Sequence, residues 1–534
     1  MRMHGRAGWL AVGALALATA FAGAQTPTYD LVIRSGRIVD GTGNPWFVGD
    51  VAIAGGRIAA LGEIPASAGN TVLDATGLYV APGFIDVHTH CDTGIVADPT
   101  VRNYLLQGVT TVIGGNCGDS PFPIGKLFGR LAASGMALNF ACLVGHNTIR
   151  HEVMGDVDRA PSEAELTRMS ELVRQEMETG AIGLSTGLAY VPGRYSTTEE
   201  IVRLAKAVQP FHGVYATHLR NQGSQIREAI EEAVRVGREA GVRVEISHVK
   251  LAEEAVWGQR QRITEPIEKA RREGLEIYTD QYPYTATSSS FTSSFPGWAV
   301  AGGHDAFVER MKNPANRQRA RQALLEKRLT SKHGLDPLER IYVAESKRHP
   351  EHEGKTLGQI LALLERKRTP GNGADLIIEM EVADPPLGVF FQMDERDVEA
   401  LMAMPYNMVG SDGEVAVPGK GSPHPRYYGT FPRVLAEYVR GRHVLTLTDA
   451  VRRMTSLPAQ AMRLQDRGLL RSGMAADLAI FDADSVQDLA TFARPHQYPR
   501  GIHWVIVNGQ VAARDGQVVT PNAGRILYGP GRRD

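Results

Sequence analysis

Cysteine is scarce in this chain. Only Cys91, Cys117 and Cys142 occur among 534 residues. An odd count leaves at least one thiol unpaired, and that thiol needs a buried apolar site or a chemical task. Net charge is nearly absent too. Lys and Arg number 58, Asp and Glu 59, for a formal charge of -1. With no long basic run, nucleic-acid binding has little electrostatic support. Long apolar runs are missing except near the start, where Gly8 to Phe21 carries no charge. That run is short for a membrane anchor. It follows Arg2 and Arg6 and ends in Ala22-Gly23-Ala24, the pattern of a secretory signal peptide cleaved after residue 24. No twin arginine precedes it, so the chain is expected to be exported by a Sec-type route, to the periplasm or the medium.

What is present fits a soluble globular protein, with 43% hydrophobic and 22% charged residues. The length predicts one large domain and a smaller one. Residues 25–82 are dense in short apolar runs and Gly-rich turns, as in YDLVIRSGRIVDGTG, and residues 466–534 share that texture. Neither end alone could bury a large core, so together they are expected to form one small β-sandwich domain. Between them, β-branched runs alternate with helical stretches such as SQIREAIEEAVRVGREAG. Eight strand candidates lie at 84–90, 109–117, 137–146, 181–190, 213–220, 243–250, 276–284 and 407–413. Parallel βα units of this number predict an α/β fold, a TIM-like (β/α)8 barrel over 83–465. The gap between the seventh and eighth strands is too long for one connection and predicts an inserted subdomain at about 285–350. Its basic run, RMKNPANRQRARQALLEKRL, reads as a solvated helix face.

The stretch GFIDVHTHCD puts His88 and His90 two apart, on one face of a strand. Taken alone, two polar residues at a strand end are unremarkable. In a barrel of this kind, however, strand C-termini share one mouth. Those ends carry His88 and His90, Cys117, Tyr190, His218, His248, Lys250 and Asp412. Imidazoles with a thiolate suit Zn²⁺ rather than Ca²⁺ or Mg²⁺. Cys117 in GGNCGDS could also be a buried or disulfide-bonded cysteine, and Asp412 in VGSDGE a turn aspartate. Position at the second and eighth strand ends favours a ligand and a proton carrier.

GFIDVHTH, THLRN, ISHVK, GSDGE and the terminal GMAADLAIFD resemble the amidohydrolase superfamily. GGNCG, GLSTGLAYVPG and SPHPRYYGTFPR narrow the resemblance to its N-acyl-D-amino-acid deacylases. The resemblance covers nearly all of the mature chain. It implies a zinc-dependent hydrolase acting on the amide of a small-molecule N-acyl-D-amino acid. It assigns a tight zinc site to Cys117, His218 and His248, and a second, weaker one to His88 and His90 sharing Cys117. Asp412 becomes the general acid/base, and Tyr190, Lys250 and Arg426 hold the substrate α-carboxylate. The sequence departs from the family in three places. Cys91 stands where relatives often carry an acid and could form a disulfide with Cys117. ISHVK lacks a second histidine. SSSFTSSFPGW has no Lys or Arg, which predicts a preference for neutral, hydrophobic D-residues. A D-residue dipeptidase, a cyclic-amide hydrolase or deaminase, and a metal-free scaffold are the alternatives. Oligomeric state is not legible.

Overall fold

The structure is a computed structural model and describes residues 1, 28–330 and 334–533. Apart from Met1, the expected leader lies outside the described residues.

The middle of the chain folds as repeated parallel strand–helix units. β1 (Phe84–Asp86), β2 (Val109–Gly114) and β3 (Asn139–Cys142) pair in that order. β4 (Gly183–Gly187), β5 (Val214–His218), β6 (Arg243–Ile246), β7 (Ile277–Gln281) and β8 (Asn407–Val409) form a second parallel sheet, entered through the two-residue strand Val144–Gly145. Backbone bonds join the two sheets. The Ile182 N–H donates to the Cys142 carbonyl at 2.9 Å, and past the ends of β1 and β8 Thr89 bridges Gly413. Every residue of β2, β4, β5, β6 and β7 is buried. Strands covered on both faces read as continuous apolar runs rather than alternating ones.

The covering helices owe their packing to apolar spacing. In Ile226–Ala240 the residues Ile226, Ala229, Ile230, Ala233, Val234, Val236 and Ala240 are buried, while Glu231, Arg235, Arg238 and Glu239 face water. This is the three-and-four spacing of one helix face. Truncating the fully buried Ile230 to alanine costs about 2–5 kcal/mol. Glu163–Thr179 begins at a capping box. The Ser162 side chain accepts the Glu165 N–H and the Glu165 carboxylate accepts the Ser162 N–H.

Both chain ends meet in one nine-stranded sheet. Its seam is Tyr79–Pro82 against Leu478–Phe481, antiparallel, directly before β1 begins. Between β7 and β8, Ala286–Ser290, Leu387–Phe391 and Ile341–Glu345 form a separate antiparallel sheet. It packs with its own core around Phe291, Phe295, Phe307, Ile341 and Phe390. This unit runs well past the expected end near 350, because its central strand is Leu387–Phe391. The basic run forms two helices, Gly303–Met311 and Pro314–Lys327, broken where Pro314 cannot donate a backbone N–H.

Candidate metal centre and substrate site

Regular pairing stops earlier than expected, at Asp86, Gly114, Ile246 and Val409. His88, His90, Cys117, His248 and Asp412 therefore sit just beyond their strands, whereas His218 is the last residue of β5. Loop backbone gives freedom that a strand lacks. Cys117, His248 and Asp412 all adopt left-handed backbone, at φ 53°, 37° and 51°. Such conformations cost about 1–3 kcal/mol each in non-glycine residues and persist only where surrounding structure enforces them. Gly118, at φ 83°, follows Cys117, and a Cβ there would lie 2.3 Å from Asn147 Oδ1. Glycine is what lets this turn press sulfur into the cluster.

The thiol of Cys117 is the centre of the group. Its Sγ lies 3.3 Å from His88 Nε2, 3.5 Å from His218 Nδ1 and 3.4 Å from His248 Nε2. The donor atoms of His88, His90 and Cys117 lie within 4.8 Å of one another, as do those of Cys117, His218 and His248, and those of His88, His248 and Asp412. Burial alone would push the Cys117 thiol up. The imidazoles of His88 and His248, with hydrogen bonds from His218 and His248, outweigh it and hold the thiol well below its ordinary range. Burial, then the nearby Lys250 and His218, push His248 down to about 3, so its ring is neutral. A thiol held low among imidazole nitrogens is the donor set of a zinc site.

The three cysteines contrast sharply. All are buried and free, so the Cys91–Cys117 disulfide expected as an option does not form. Cys91 instead accepts a hydrogen bond from Thr89 Oγ1 at 3.1 Å. Burial raises the thiols of Cys91 and Cys142 well above their usual value. Only Cys117 has cationic company.

Asp412 bridges the cluster to the cations. One oxygen lies 3.2 Å from His90 Nε2, and the other 2.8 Å from Arg426 Nη1. Burial disfavours its charge, but Arg426, then His90, His248 and His88, hold the carboxyl well below the usual range. Arg426 Nε has no hydrogen-bond partner, and Nη1 meets Asp412 without hydrogen-bond alignment, although the side chain is only 4% exposed. Arg426 stacks over the Tyr282 ring at 4.7 Å, and Lys250 Nζ lies 5.3 Å from the same ring. Burial lowers Lys250 to about 7 despite Asp412. Tyr190 packs edge-on against His218, with ring centroids 4.6 Å apart. All nine residues singled out in the sequence thus lie in one connected cluster.

Several partners were not foreseen. Asp280, inside β7, accepts from His88 Nδ1 at 3.2 Å and from the His248 N–H at 3.0 Å. The first contact fixes the tautomer that leaves His88 Nε2 facing Cys117. Asp86 accepts the Ser411 N–H at 2.9 Å and ties β1 to the loop after β8. Gln222 contacts His248 Nδ1 and accepts from Lys250 Nζ, both at 3.1 Å. An acid within a buried strand, as in EIYTDQ, was a readable signal for Asp280; Gln222 offered none.

Parallel βα units ending in a thiolate–imidazole cluster beside a carboxylate define a class of metal-dependent hydrolases. The chain belongs to the amidohydrolase family, whose model matches residues 71–513, and to its N-acyl-D-amino-acid deacylase branch. It is 36% identical to D-aminoacylase of Alcaligenes xylosoxydans xylosoxydans over 522 residues, covering 93% of this chain and 97% of that protein. It is also 36% identical to the N-acyl-D-aspartate deacylase of the same organism over 524 residues, covering 92% and 95%. Among solved structures it resembles N-acyl-D-glutamate deacylase from Bordetella bronchiseptica, complexed with zinc and a phosphonate that mimics the tetrahedral intermediate. There the TM-score is 0.79 at 33% identity, over 94% of this chain and all of that one. The fold is therefore that of the amidohydrolase superfamily.

Proposed function

We propose that the protein is a zinc-dependent N-acyl-D-amino-acid deacylase, releasing a D-amino acid and a carboxylate. The observation that carries this reading is the Cys117 sulfur in contact with imidazoles at or just past the ends of three different strands, beside the Asp412–Arg426 pair. Cys117, His218 and His248 would hold the tight zinc. His88 and His90, sharing Cys117, would hold a weaker one. When bound, zinc supplies a Lewis acid that polarises the scissile carbonyl and acidifies water. The chain's own groups do the rest. Arg426, Lys250 and Tyr190 receive the α-carboxylate, which gives the buried Lys250 a counter-charge. Asp412, held ionised, takes the proton of the attacking water and delivers it to the departing amide nitrogen.

The finer architecture belongs to the same reading. Bonds between the loops after β1 and β8 support a TIM-like barrel over 83–465. The seam between Tyr79–Pro82 and Leu478–Phe481 supports a separate domain built from 25–82 and 466–534. Among the described residues, no helix is long and apolar enough to cross a membrane. Export with cleavage after residue 24 rests on the sequence pattern, and N-terminal sequencing of the secreted protein checks it.

The functional test is hydrolysis by purified, zinc-loaded protein of N-acetyl-D-leucine, its L-enantiomer and N-acetyl-D-glutamate. The expected outcome is a D-over-L preference of about a hundredfold or more, with leucine ahead of glutamate. Equal turnover of both enantiomers, or none of any substrate, overturns the assignment. Equal turnover of leucine and glutamate overturns only the preference for neutral side chains.

A further inference from the structure

His424 is fully buried and belongs to none of the groups that would touch metal. Its two ring nitrogens are both engaged. Nδ1 accepts the backbone N–H of Arg426 at 3.0 Å, so Nε2 carries the proton and donates to the Ala286 carbonyl at 3.0 Å. One neutral tautomer satisfies both bonds. The ring is gripped edge-on by Tyr284 at 5.1 Å and Phe492 at 5.0 Å, so neither bond can swing away cheaply.

Each bond falls at a telling place. Arg426 opens the helix Arg426–Arg433, and Pro425 before it offers no side-chain cap. The first N–H groups of a helix lack intrahelical acceptors. His424 supplies one to the residue whose guanidinium meets Asp412. Ala286, in turn, is the first residue of the inserted antiparallel sheet. The stretch from Gly413 to Pro425 has almost no regular structure and cannot fix Arg426 by itself. It is held to the same sheet a second time, by the Ser422 N–H donating to the Ala344 carbonyl at 2.7 Å.

We propose that His424 is a positioning residue for the substrate-carboxylate end of the site, fixing Arg426 by capping its helix and fastening that loop to the inserted sheet through Ala286. This rests on the deacylase reading, which gives Arg426 its carboxylate. It assigns the insertion a role in the site, as the wall against which the arginine is aligned.

The two bonds can be removed separately. His424→Asn keeps an acceptor near the position of Nδ1 and loses the reach to Ala286. His424→Gln keeps a donor near the position of Nε2 and loses the acceptor. His424→Phe loses both while keeping a ring. The substrates are N-acetyl-D-leucine and N-acetyl-D-leucinamide, which lacks the carboxylate. The expected result for His424→Phe is KM for the acid raised about tenfold or more, with kcat changed less and acid-over-amide discrimination collapsing by a similar factor. His424→Asn keeps discrimination within about threefold of wild type, and His424→Gln loses most of it. A proportional loss on both substrates would mean a merely structural role and overturns the proposal, as does unchanged discrimination in His424→Phe. If His424→Phe does not fold, the Asn and Gln variants decide alone, and Gln retaining more discrimination than Asn overturns it. Failure of the underlying reading is distinct: wild-type protein would then not hydrolyse N-acetyl-D-leucine.

Discussion

Among the described residues, groups of histidine, cysteine and carboxylate close enough to share a metal ion occur at two places, around Cys117 and in a turn at His349, Glu351 and His352. By proximity the two are alike. His349 Nδ1 lies 2.9 Å from Glu351 Oε1, and its ring stacks on that of His352 at 4.9 Å. They differ in everything that holds proximity in place. At the turn, the side chains of His349 and Glu351 are 45% and 61% exposed, and the hydrogen bond joins residues two apart. At the pocket, the donors come from positions scattered between 88 and 412 and are buried, His90 excepted. Three of them are held in left-handed backbone. Behind them stand Asp280, Asp86 and Gln222, whose bonds orient the ligating groups rather than form the set. Closeness on a surface is a local accident of sequence, whereas a site is closeness enforced against its cost.

That distinction can be attacked from its strongest side first. Asp412→Asn removes the proton acceptor while keeping the shape, and is expected to lower kcat by about a thousandfold with zinc content unchanged. Activity that survives, or zinc lost together with activity, would mean the carboxylate serves another purpose. Next comes support rather than ligand. Asp280→Asn leaves every proposed ligand present but disturbs the acceptor for His88 Nδ1 and the His248 N–H. Zinc affinity is expected to fall about 10–100-fold, read by chelator competition. An unchanged affinity would show that enforcement from behind is dispensable, and the two clusters would then differ only in burial.

The proposed ligands were legible in the sequence, and much less of their support. Strand-end histidines and GGNCG are visible because the chemistry demands rare residues at punctuated places, and Cys117 with its following glycine is the clearest case. Asp280 is marked locally only as an acid inside a buried strand, and nothing near it says what it supports. Its partner His88 is 192 positions away. The order of strand–helix units was legible from texture, but their ends were not, because Asp86, Val409 and their loops are tied across the chain by bonds no local pattern announces. The insertion runs past its expected end for a similar reason. Its central strand, Leu387–Phe391, lies about a hundred residues after the edge strand it pairs with. Selectivity shows the same limit. Residues 288–298 carry no cation, yet Lys327 Nζ reaches the Ser293 carbonyl and Arg328 Nε the Ser294 hydroxyl, both at 3.2 Å. Arg328 also donates to Gln392 and stacks on Phe390, so cations from outside the segment stand against it, and the substrate screen rather than the segment's composition decides side-chain preference.

The smallest expected effect tests the other half of the contrast. Replacing His349 and His352 together by alanine removes two imidazoles from the turn but leaves the pocket's residues and their backing untouched. The His349–Glu351 pair is exposed, so its hydrogen bond competes with water and contributes little. His352 is buried, and its Nδ1 has no partner, so truncation there trades lost packing against relief of an unsatisfied nitrogen. The double variant should therefore bind the same number of zinc ions per chain as wild type, turn over N-acetyl-D-leucine within about twofold of it, and lose no more than about 1–2 kcal/mol of stability. A missing equivalent of tightly bound zinc would sink the argument, because it would show that an exposed turn with no enforced geometry holds metal as well as the buried cluster does. An intact metal count beside the Asp280→Asn loss would place the difference between the two clusters in the residues behind the ligands.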